Sequence, residues 1–289
     1  MAPRILITGA SGQLGHALRQ GYQSDENLLL TDTVPDSPDV KTLDISVRNQ
    51  VKEQIDAFQP DVIINTAAFT DVDGNEREPD TAQLINTTSV EYLLAAGEQY
   101  GTRVVQISTD YVFDGTKGPY LENDRPSPLS VYGQTKLAAE QLLLTNGKHL
   151  IIRANVLFGP DLDSPASFVR WVVSSLKDGK SIRVVDDQVN NPTLTTHLAA
   201  AIRLAVDQKA TGLYHYGGLE FMTRYQFALR IAQHFRLPDD LIEPISTAEL
   251  GQLAPRPLKS GLICSKMKME LHVTNADIDE ALSEAFPMD

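Results

Sequence analysis

Cysteine and long apolar stretches are nearly absent from this sequence. It contains a single cysteine, Cys264, among 289 residues, which excludes a framework of disulfide bonds within the chain. An unpaired thiol fits a reducing compartment, and we therefore expect a cytoplasmic protein. No apolar run approaches the length of about 18 residues that a membrane-spanning helix needs. The N-terminal residues MAPRILITGA lack the pattern of a signal peptide, so no membrane association is expected.

Positive charge is scarce as well. The chain carries 25 lysines and arginines against 38 aspartates and glutamates, a formal net charge of −13. An acidic protein repels polyanions, which argues against nucleic acid and anionic membranes as partners. The sequence also contains no His-Glu-x-x-His, no paired-cysteine motif and no Gly-x-Ser-x-Gly. We therefore expect neither a metal site nor a hydrolase.

The sequence is instead dominated by an alternation of short apolar runs and helical patterns. Most of the runs are continuously apolar, which is typical of strands buried on both faces of a parallel sheet. They cover residues 4–10, 27–32, 61–68, 103–109, 150–155, 182–187 and 212–218. Helical patterns at about 82–99 and 131–145 lie between them. This alternation predicts an α/β protein with a doubly wound parallel sheet, a Rossmann fold.

The last third of the chain follows a different pattern. One helix is predicted to start at Ser164 and Pro165, and another to follow a Thr223 cap. Neither has regular strand partners, which indicates a smaller lobe over the C-terminal edge of the sheet, where open α/β folds bind ligands. The predicted division is a dinucleotide-binding domain of residues 1–155, rejoined by 187–218, and a substrate-binding lobe of 156–186 and 219–289.

A glycine-rich turn, GASGQLG, follows the first apolar run and precedes the helical pattern LGHALRQGY. Glycines at this spacing allow a tight turn and let a pyrophosphate approach the backbone, while the helix N-terminus supplies N–H groups and the positive end of its dipole. The alternative is a plain strand–turn–helix corner. The predicted dinucleotide site includes Gly9, Ser11, Gly12, Gln13, Leu14 and Gly15.

Asp32 ends the second apolar run, 17 residues after Gly15. A carboxylate at this position can accept hydrogen bonds from an adenosine ribose. It would repel a 2′-phosphate, and no basic residue follows before Lys41, so NADH is favoured over NADPH. The alternative is a turn-forming aspartate, because DTVPDSPD is typical of a loop. Asp44 and Ile45 are predicted to border the adenine.

Six strings occur in the order seen in extended short-chain dehydrogenases: GASGQLG, INTAAFTDVDGNE, ISTDYVFDG, VYGQTK, NNPTLTTHLA and RPLKSGL. The chain most resembles the dTDP-4-dehydrorhamnose reductase family, over essentially its whole length. The resemblance implies a nicotinamide-binding sheet domain, a nucleotide-diphosphate sugar as substrate and reduction of a 4-keto group. It also implies a catalytic group of Thr109, Tyr132 and Lys136 and cofactor-binding segments with Gly9, Gly12, Gly15, Asn65, Ala67 and Ala68.

Tyr132 and Lys136 stand four residues apart at the start of a predicted helix, so they share one helix face. Reduction of a ketone needs a proton at oxygen, which a tyrosine hydroxyl with an ordinary pKa of about 10 can donate. A lysine one turn away favours the tyrosinate and brings this pKa toward the working pH. Lys136 can also hold the nicotinamide ribose, and the Thr109 hydroxyl can donate to the substrate carbonyl. The alternative is a solvated helix face.

Tyr111 narrows the reaction. Related sugar dehydratases place Thr-Asp-Glu at this strand end and use the acids to eliminate water. This chain has Thr109, Asp110 and Tyr111, and a tyrosine is no carboxylate base at neutral pH. Reduction is therefore favoured over elimination. Tyr111 itself is interpreted either as a substrate contact or as an aromatic packing residue.

The substrate side is predicted from RPLKSGL and NNPTLTT. Arg256 can bind a diphosphate through two parallel hydrogen bonds, with Ser260 in the same segment, although a solvated loop is the alternative. The segment containing Asn191 lies where the family approaches the sugar nucleotide. At RANVLFGP, Asn155 and its neighbours stand where typical reductases carry a Trp and a Tyr, which leaves the identity of the sugar open.

These observations predict an NADH- or NADPH-dependent reductase of a nucleotide-linked 4-keto-6-deoxysugar in polysaccharide precursor biosynthesis. The alternative is a non-catalytic cofactor-binding subunit, because the C-terminal third also resembles the regulatory beta subunit of methionine adenosyltransferase. Retention of Thr109, Tyr132 and Lys136 does not separate the two. No string favours a sugar epimerase. The resemblance further implies a homodimer through the helices at 82–99 and 131–145.

Overall fold

A central parallel β-sheet organises the computed structural model, which describes residues 2–23, 27–160 and 167–288. The strands of the described part of the chain, numbered in order, are β1 (Ile5–Thr8), β2 (Leu28–Asp32), β3 (Val40–Thr42), β4 (Val62–Asn65), β5 (Arg103–Thr109), β6 (Leu150–Ala154), β7 (Leu157–Phe158), β8 (Ile182–Val185), β9 (Val189–Asn190), β10 (Thr193–Leu194), β11 (Gly212–His215), β12 (Met222–Thr223) and β13 (Ile242–Ile245).

Seven of these strands form the central sheet in the order β11-β6-β5-β4-β1-β2-β3. All of its pairings are parallel. The chain works outward from β1 in one direction and then from β4 in the other, so the strand order reverses between β1 and β4. This confirms the predicted doubly wound α/β sheet. Ligands of such sheets bind beyond the carboxyl ends of the strands at the point of reversal.

Helices cover both faces of the sheet. Helices α1, α8 and α11 contribute to the hydrophobic core on one face, and α2, α5 and α6 to the core on the other. Within the described ranges, no helix is both long and apolar enough to cross a bilayer. The helices are α1 (Gln13–Tyr22), α2 (Arg48–Phe58), α3 (Val72–Arg77), α4 (Pro79–Gln83), α5 (Ser89–Gly97), α6 (Val131–Leu144), α7 (Phe168–Lys177), α8 (Thr195–Asp207), α9 (Arg224–His234), α10 (Thr247–Leu250), α11 (Ser265–Leu271) and α12 (Ile278–Ala285).

A further hydrophobic core lies apart from the sheet, among α7, α9, α12 and the strand pair β8–β13. Helix α9 begins as predicted after Thr223, which forms a capping box with Gln226. Helix α7 begins at Phe168 with Ser167 as its cap. The predicted start at Ser164 and Pro165 lies outside the described residues.

Two strands depart from the sequence prediction. The run at 182–187 forms β8, which pairs with β13 and not with the central sheet. The helices of this part of the chain therefore do have strand partners, contrary to the prediction. The central sheet gains its seventh strand from β3, which pairs with β2 at one edge. No apolar run in the sequence predicted this strand.

Candidate active site

The glycine-rich turn joins β1 to α1 and needs its glycines for different reasons. Gly9 has a positive φ of 72°, and a Cβ there would lie 2.6 Å from the backbone nitrogen of Ala67. A Cβ at Gly15 would lie 2.2 Å from the carbonyl oxygen of Gly9. Both positions therefore require glycine for packing. At Gly12 the nearest atom would be 3.4 Å away, so this position is open.

The open side of the turn fits a pyrophosphate. Gly12 is the N-cap of α1, and no side chain caps this helix end. The first helical turn, Gln13 to Gly15, can therefore direct backbone N–H groups and the positive end of the helix dipole at an anion. Leu14 is buried in the core and offers only its backbone. Ala67 and the adjoining Ala68 follow β4, the neighbour of β1 in the sheet.

Two carboxylates lie on the β2 side of the turn. Asp32 accepts the backbone N–H of Ser11 at 3.0 Å and that of Val34 at 3.1 Å. Asp36 forms an ion pair with Arg19 at 2.8 Å, contacts His16 and accepts the Ser11 hydroxyl. The region predicted for an adenosine ribose is therefore acidic, and its nearby arginine is already paired.

The other predicted cofactor residues differ in exposure. Asn65 is 1% exposed and is held between the hydroxyl of Thr8 and the side chain of Gln106. Ile45 is buried in the hydrophobic core, so its side chain serves packing. Asp44 accepts the N–H and hydroxyl of the residue two positions on. Of these three side chains, Asp44 alone is partly exposed.

Helix α6 carries Tyr132 and Lys136. Ser130 caps the helix by accepting a backbone N–H of its first turn. Lys136 is only 4% exposed, and its Nζ donates to the carbonyl oxygen of Ile107 at 2.7 Å. Burial lowers the pKa of Lys136 to about 8, while Glu140, one turn further, opposes the shift. The structure therefore holds an ammonium group, still charged at pH 7, one helical turn from the tyrosine.

A buried ion pair fixes this helix against the sheet. Glu140 receives two hydrogen bonds from Arg153 of β6, at 2.6 and 2.8 Å, and one from Ser108 of β5. Arg153 also lies over the ring of Phe113 and contacts His215 of β11. Two parallel hydrogen bonds to a buried carboxylate fix both partners, so α6 is tied to three strands of the sheet.

Thr109 and Asp110 meet Tyr132 at the end of β5. The Thr109 hydroxyl donates to Asp110 at 3.1 Å, and its interaction with the Tyr132 hydroxyl works to lower the pKa of that tyrosine. Burial, together with the nearby Asp110 charge, raises the pKa of Tyr132, which is opposite to the lowering expected from the charge of Lys136. Burial also raises the pKa of Asp110 to about 6, opposed by a hydrogen bond from Ser260 at 2.5 Å. At pH 7 the group therefore contains a protonated tyrosine and an ionised aspartate.

Tyr111 and Arg256 lie beside this group. The Tyr111 ring meets the Tyr132 ring edge-on, with centroids 5.6 Å apart. Arg256 interacts with the Tyr111 hydroxyl, forms an ion pair with Asp73 and donates to the carbonyl of Ala254. The structure thus brings the predicted diphosphate-binding arginine to the site, where its Nη1 already donates to Asp73 and to Ala254.

Asn155 and Asn191 form a buried pair. Asn155 is 3% exposed and donates to Asn191 at 3.1 Å. Asn191 is fully buried, and its amide donates to the backbone carbonyls of Gly218 and Leu262. These side chains join loops near the site to one another. Asn191 was predicted to contact the substrate, but its side-chain amide is already hydrogen-bonded to other protein groups.

Sequence reasoning missed Arg224 near the site, and within the predicted segment NNPTLTT it selected Asn191 and not Asn190. Arg224, the first residue of α9, interacts electrostatically with Asp110 and Tyr111. Asn190 lies on β9, which pairs with the strand preceding α9. Arg224 reaches the site only through the tertiary fold, and a single arginine carries no motif that would mark it.

The fold and this arrangement define a class, the oxidoreductases that use a nicotinamide dinucleotide. A family model described as "RmlD substrate binding domain" matches residues 3–288. A dTDP-4-dehydrorhamnose reductase of Aggregatibacter actinomycetemcomitans is 35% identical over 295 residues, covering 96% of this chain and 97% of that protein. The chain therefore belongs to the RmlD substrate-binding family, the family of the dTDP-4-dehydrorhamnose reductases.

Two further relatives bear on cofactor and function. The crystal structure of a dTDP-4-dehydrorhamnose reductase from Bacillus anthracis in complex with NADP matches with a TM-score of 0.88 and 30% identity over 99% of both chains. The methionine adenosyltransferase 2 subunit beta of Xenopus laevis is 33% identical over 273 residues, covering 92% of this chain and 81% of that protein.

Proposed function

We propose that this protein is an extended short-chain dehydrogenase that reduces the 4-keto group of a nucleotide-linked 6-deoxysugar, as in dTDP-rhamnose precursor biosynthesis. The observation that carries the proposal is the catalytic group itself. Tyr132 lies one helical turn from the buried ammonium of Lys136, and its hydroxyl interacts with Thr109 at the end of β5. All three stand at the carboxyl edge of a sheet whose first turn fits a dinucleotide.

The residues divide the work of a ketone reduction. The reduced nicotinamide, when bound, supplies the hydride. Tyr132 donates the proton to the carbonyl oxygen, and its raised pKa keeps it protonated until that moment. Lys136 is charged at pH 7 because its pKa of about 8 lies above it, and this charge stabilises the tyrosinate that donation leaves. Thr109 holds the tyrosine hydroxyl in place.

For the cofactor, we propose NADH in preference to NADPH. The pyrophosphate would lie against Gly12 and the first turn of α1, and the adenosine ribose against Asp32. Asp32 and Asp36 would both repel a 2′-phosphate, and Arg19 is engaged by Asp36. The B. anthracis relative was crystallised with NADP, so the proposed preference for NADH is a property of this chain's acidic pair and not of the family.

For the substrate, we propose that the sugar nucleotide lies between the carboxyl edge of the sheet and the lobe formed by residues 156–186 and 219–289. Residues 1–155 and 187–218 would then form the dinucleotide-binding domain. Tyr111 lies edge-on to the proton donor and would contact the sugar. A homodimer through the helices near 82–99 and 131–145 completes the proposal.

The second candidate is a regulatory subunit like methionine adenosyltransferase beta. Its support is the 33% identity to that subunit. The reductase is favoured because this chain matches reductases over nearly their whole length, 97% of the A. actinomycetemcomitans protein and 99% of the B. anthracis chain, but covers only 81% of the beta subunit.

The test is turnover. Purified protein is incubated with NADH or NADPH and a panel of dTDP-, UDP- and GDP-linked 4-keto-6-deoxysugars, and the loss of reduced nicotinamide absorbance is followed. We expect oxidation of the cofactor with at least one sugar and a 4-hydroxy product. No turnover with any of them, together with a stable complex with a methionine adenosyltransferase on size-exclusion chromatography, would favour the regulatory subunit.

A further inference from the structure

Arg224 has an unusual environment for an arginine. It is partly buried and lies over the ring of Phe168, 5.4 Å from its centroid. Throughout the described ranges, no carboxylate lies within ion-pair distance of its guanidinium, and no hydrogen bond from it is found. Burial lowers its pKa, while Tyr111 and Asp110 oppose that shift. A partly desolvated cation without a direct ion pair is costly, and a bound anion would remove that cost.

Neighbouring arginines are in a different state. Arg256 is 8% exposed and paired with Asp73. Arg230, two turns along α9, forms ion pairs with Glu220 and Asp279. The charge of Arg224 is thus available to a ligand, whereas the charges of these two are already balanced by the protein.

Asn190 provides a second, independent observation. It is 6% exposed, and its carbonyl oxygen has no donor among the described residues. In the antiparallel pairing of β9 with β12, Asn190 stands opposite Met222, two residues before Arg224. The unsatisfied acceptor of Asn190 therefore lies on the strand pair that leads directly into α9, whose first residue is Arg224. A ligand that carries anionic oxygens and hydroxyl groups together would satisfy both, as a sugar phosphate does.

The neighbouring residues connect this place to the proton donor. Tyr111 contacts the Tyr132 ring at 5.6 Å and interacts electrostatically with Arg224. Ser260, which donates to Asp110, is hydrogen-bonded through its backbone to Val189, the residue before Asn190. A ligand that reaches both Tyr132 and Arg224 needs its ketone and its anion at opposite ends. A 4-keto sugar attached to a diphosphate at C1 has that arrangement.

We propose that Arg224, and not Arg256, binds the diphosphate of the sugar nucleotide, with Asn190 accepting a hydrogen bond from a sugar hydroxyl. This inference rests on the proposed function and specifies how its substrate is held. Because guanidinium groups bind phosphate oxygens through two parallel hydrogen bonds, lysine would replace Arg224 only in part.

The test uses dTDP as a probe for the diphosphate, titrated by calorimetry against the NADH-loaded protein. Arg224→Gln should weaken dTDP binding about 10- to 100-fold, the effect of losing charge-assisted hydrogen bonds. Arg224→Lys should fall between this variant and the wild type. Arg230→Gln removes the same charge from the same helix and should bind dTDP normally. NADH binding should be unchanged in all variants, which verifies that they are folded.

The outcomes separate this inference from the proposed function. If the wild type binds dTDP and Arg224→Gln binds it equally well, the assignment of Arg224 is wrong while the reductase proposal stands. The same holds if Arg256→Gln alone weakens binding. If the wild type binds NADH but none of dTDP, UDP or GDP, the nucleotide-sugar proposal fails and this inference fails with it. Asn190→Ala should weaken binding of dTDP-rhamnose but not of dTDP. If this variant binds dTDP-rhamnose as tightly as the wild type does, Asn190 does not accept a hydrogen bond from the sugar.

Discussion

At the scale of single residues, Thr109 has one hydroxyl proton and more than one partner. The structure directs this proton at Asp110, which is ionised at pH 7 because its pKa is about 6. While its proton is directed at Asp110, Thr109 cannot at the same time donate to a substrate carbonyl. The resemblance gave Thr109 that donating role. In the observed arrangement the neighbouring hydroxyl of Tyr132 is the donor that remains for the substrate.

Lys136 predicts a pH dependence. Its pKa of about 8 lies below the ordinary value for lysine, so the ammonium is charged at pH 7 and loses its proton as the pH rises through 8. The single-turnover rate of ketone reduction at saturating NADH should therefore fall above about pH 8. The Lys136→Met variant should reduce the ketone slowly, and its rate should not fall further above about pH 8. A wild-type rate that stays flat from pH 7 to 10 would show that the lysine charge does not assist proton transfer.

The acidic pair beside the ribose predicts cofactor preference. Wild-type protein should bind NADH more tightly than NADPH, because Asp32 and Asp36 repel a 2′-phosphate. Asp32→Ala should narrow the gap. Asp36→Ala should narrow it further by releasing Arg19, while Asp39→Ala, an exposed change in the same loop, should leave it unchanged. Fluorescence titrations with both cofactors measure this difference in affinity. Equal wild-type affinities for NADH and NADPH, or a difference that neither substitution changes, would contradict the assignment of cofactor preference to Asp32 and Asp36.

At the scale of elements, the glycine turn makes a paired prediction. Gly12→Val should weaken NADH binding and leave the free energy of unfolding nearly unchanged, because the side chain would enter open space where a pyrophosphate would lie. Gly15→Ala should instead destabilise the fold by about 1–3 kcal/mol, because its Cβ would overlap the Gly9 carbonyl. Urea unfolding and NADH titration of both variants separate the two effects. Unchanged NADH affinity in a folded Gly12→Val protein would remove the turn from the cofactor site.

Elements with a strong local pattern could be predicted from the sequence, and weakly patterned ones could not. The run 103–109 is β5 to the residue, and the helix predicted at 131–145 is α6. β3 is only three residues long with one of them buried, so it has no apolar run. β13 has the sequence IEPI, and a proline within a short run argues against a strand. Both strands form because the fold offers them a partner edge.

At the scale of the whole molecule, the same division holds for the site. The glycine turn and the Tyr132–Lys136 pair are short local motifs, and their residue spacing alone indicates a phosphate-binding turn and a proton donor beside a cation. Both could therefore be predicted from the sequence. The state of Arg256, Asn191 and Arg224 depends on partners far along the chain. Asp73 forms an ion pair with Arg256, and Asn191 donates to buried carbonyls. Arg224 has no direct ion pair among the residues that the structure describes and only a longer-range interaction with Asp110. Only the tertiary structure shows which polar groups are already satisfied.

The central claim is that this fold reduces a sugar ketone and that Tyr132 delivers the proton. The most direct measurement is single-turnover oxidation of bound NADH by a dTDP-linked 4-keto-6-deoxysugar, in wild type and in Tyr132→Phe. The substitution removes the hydroxyl and keeps the ring, so NADH binding should survive. The rate should fall on the order of 10²- to 10⁴-fold, as for loss of a positioned general acid. A Tyr132→Phe protein that reacts as fast as wild type would contradict the account.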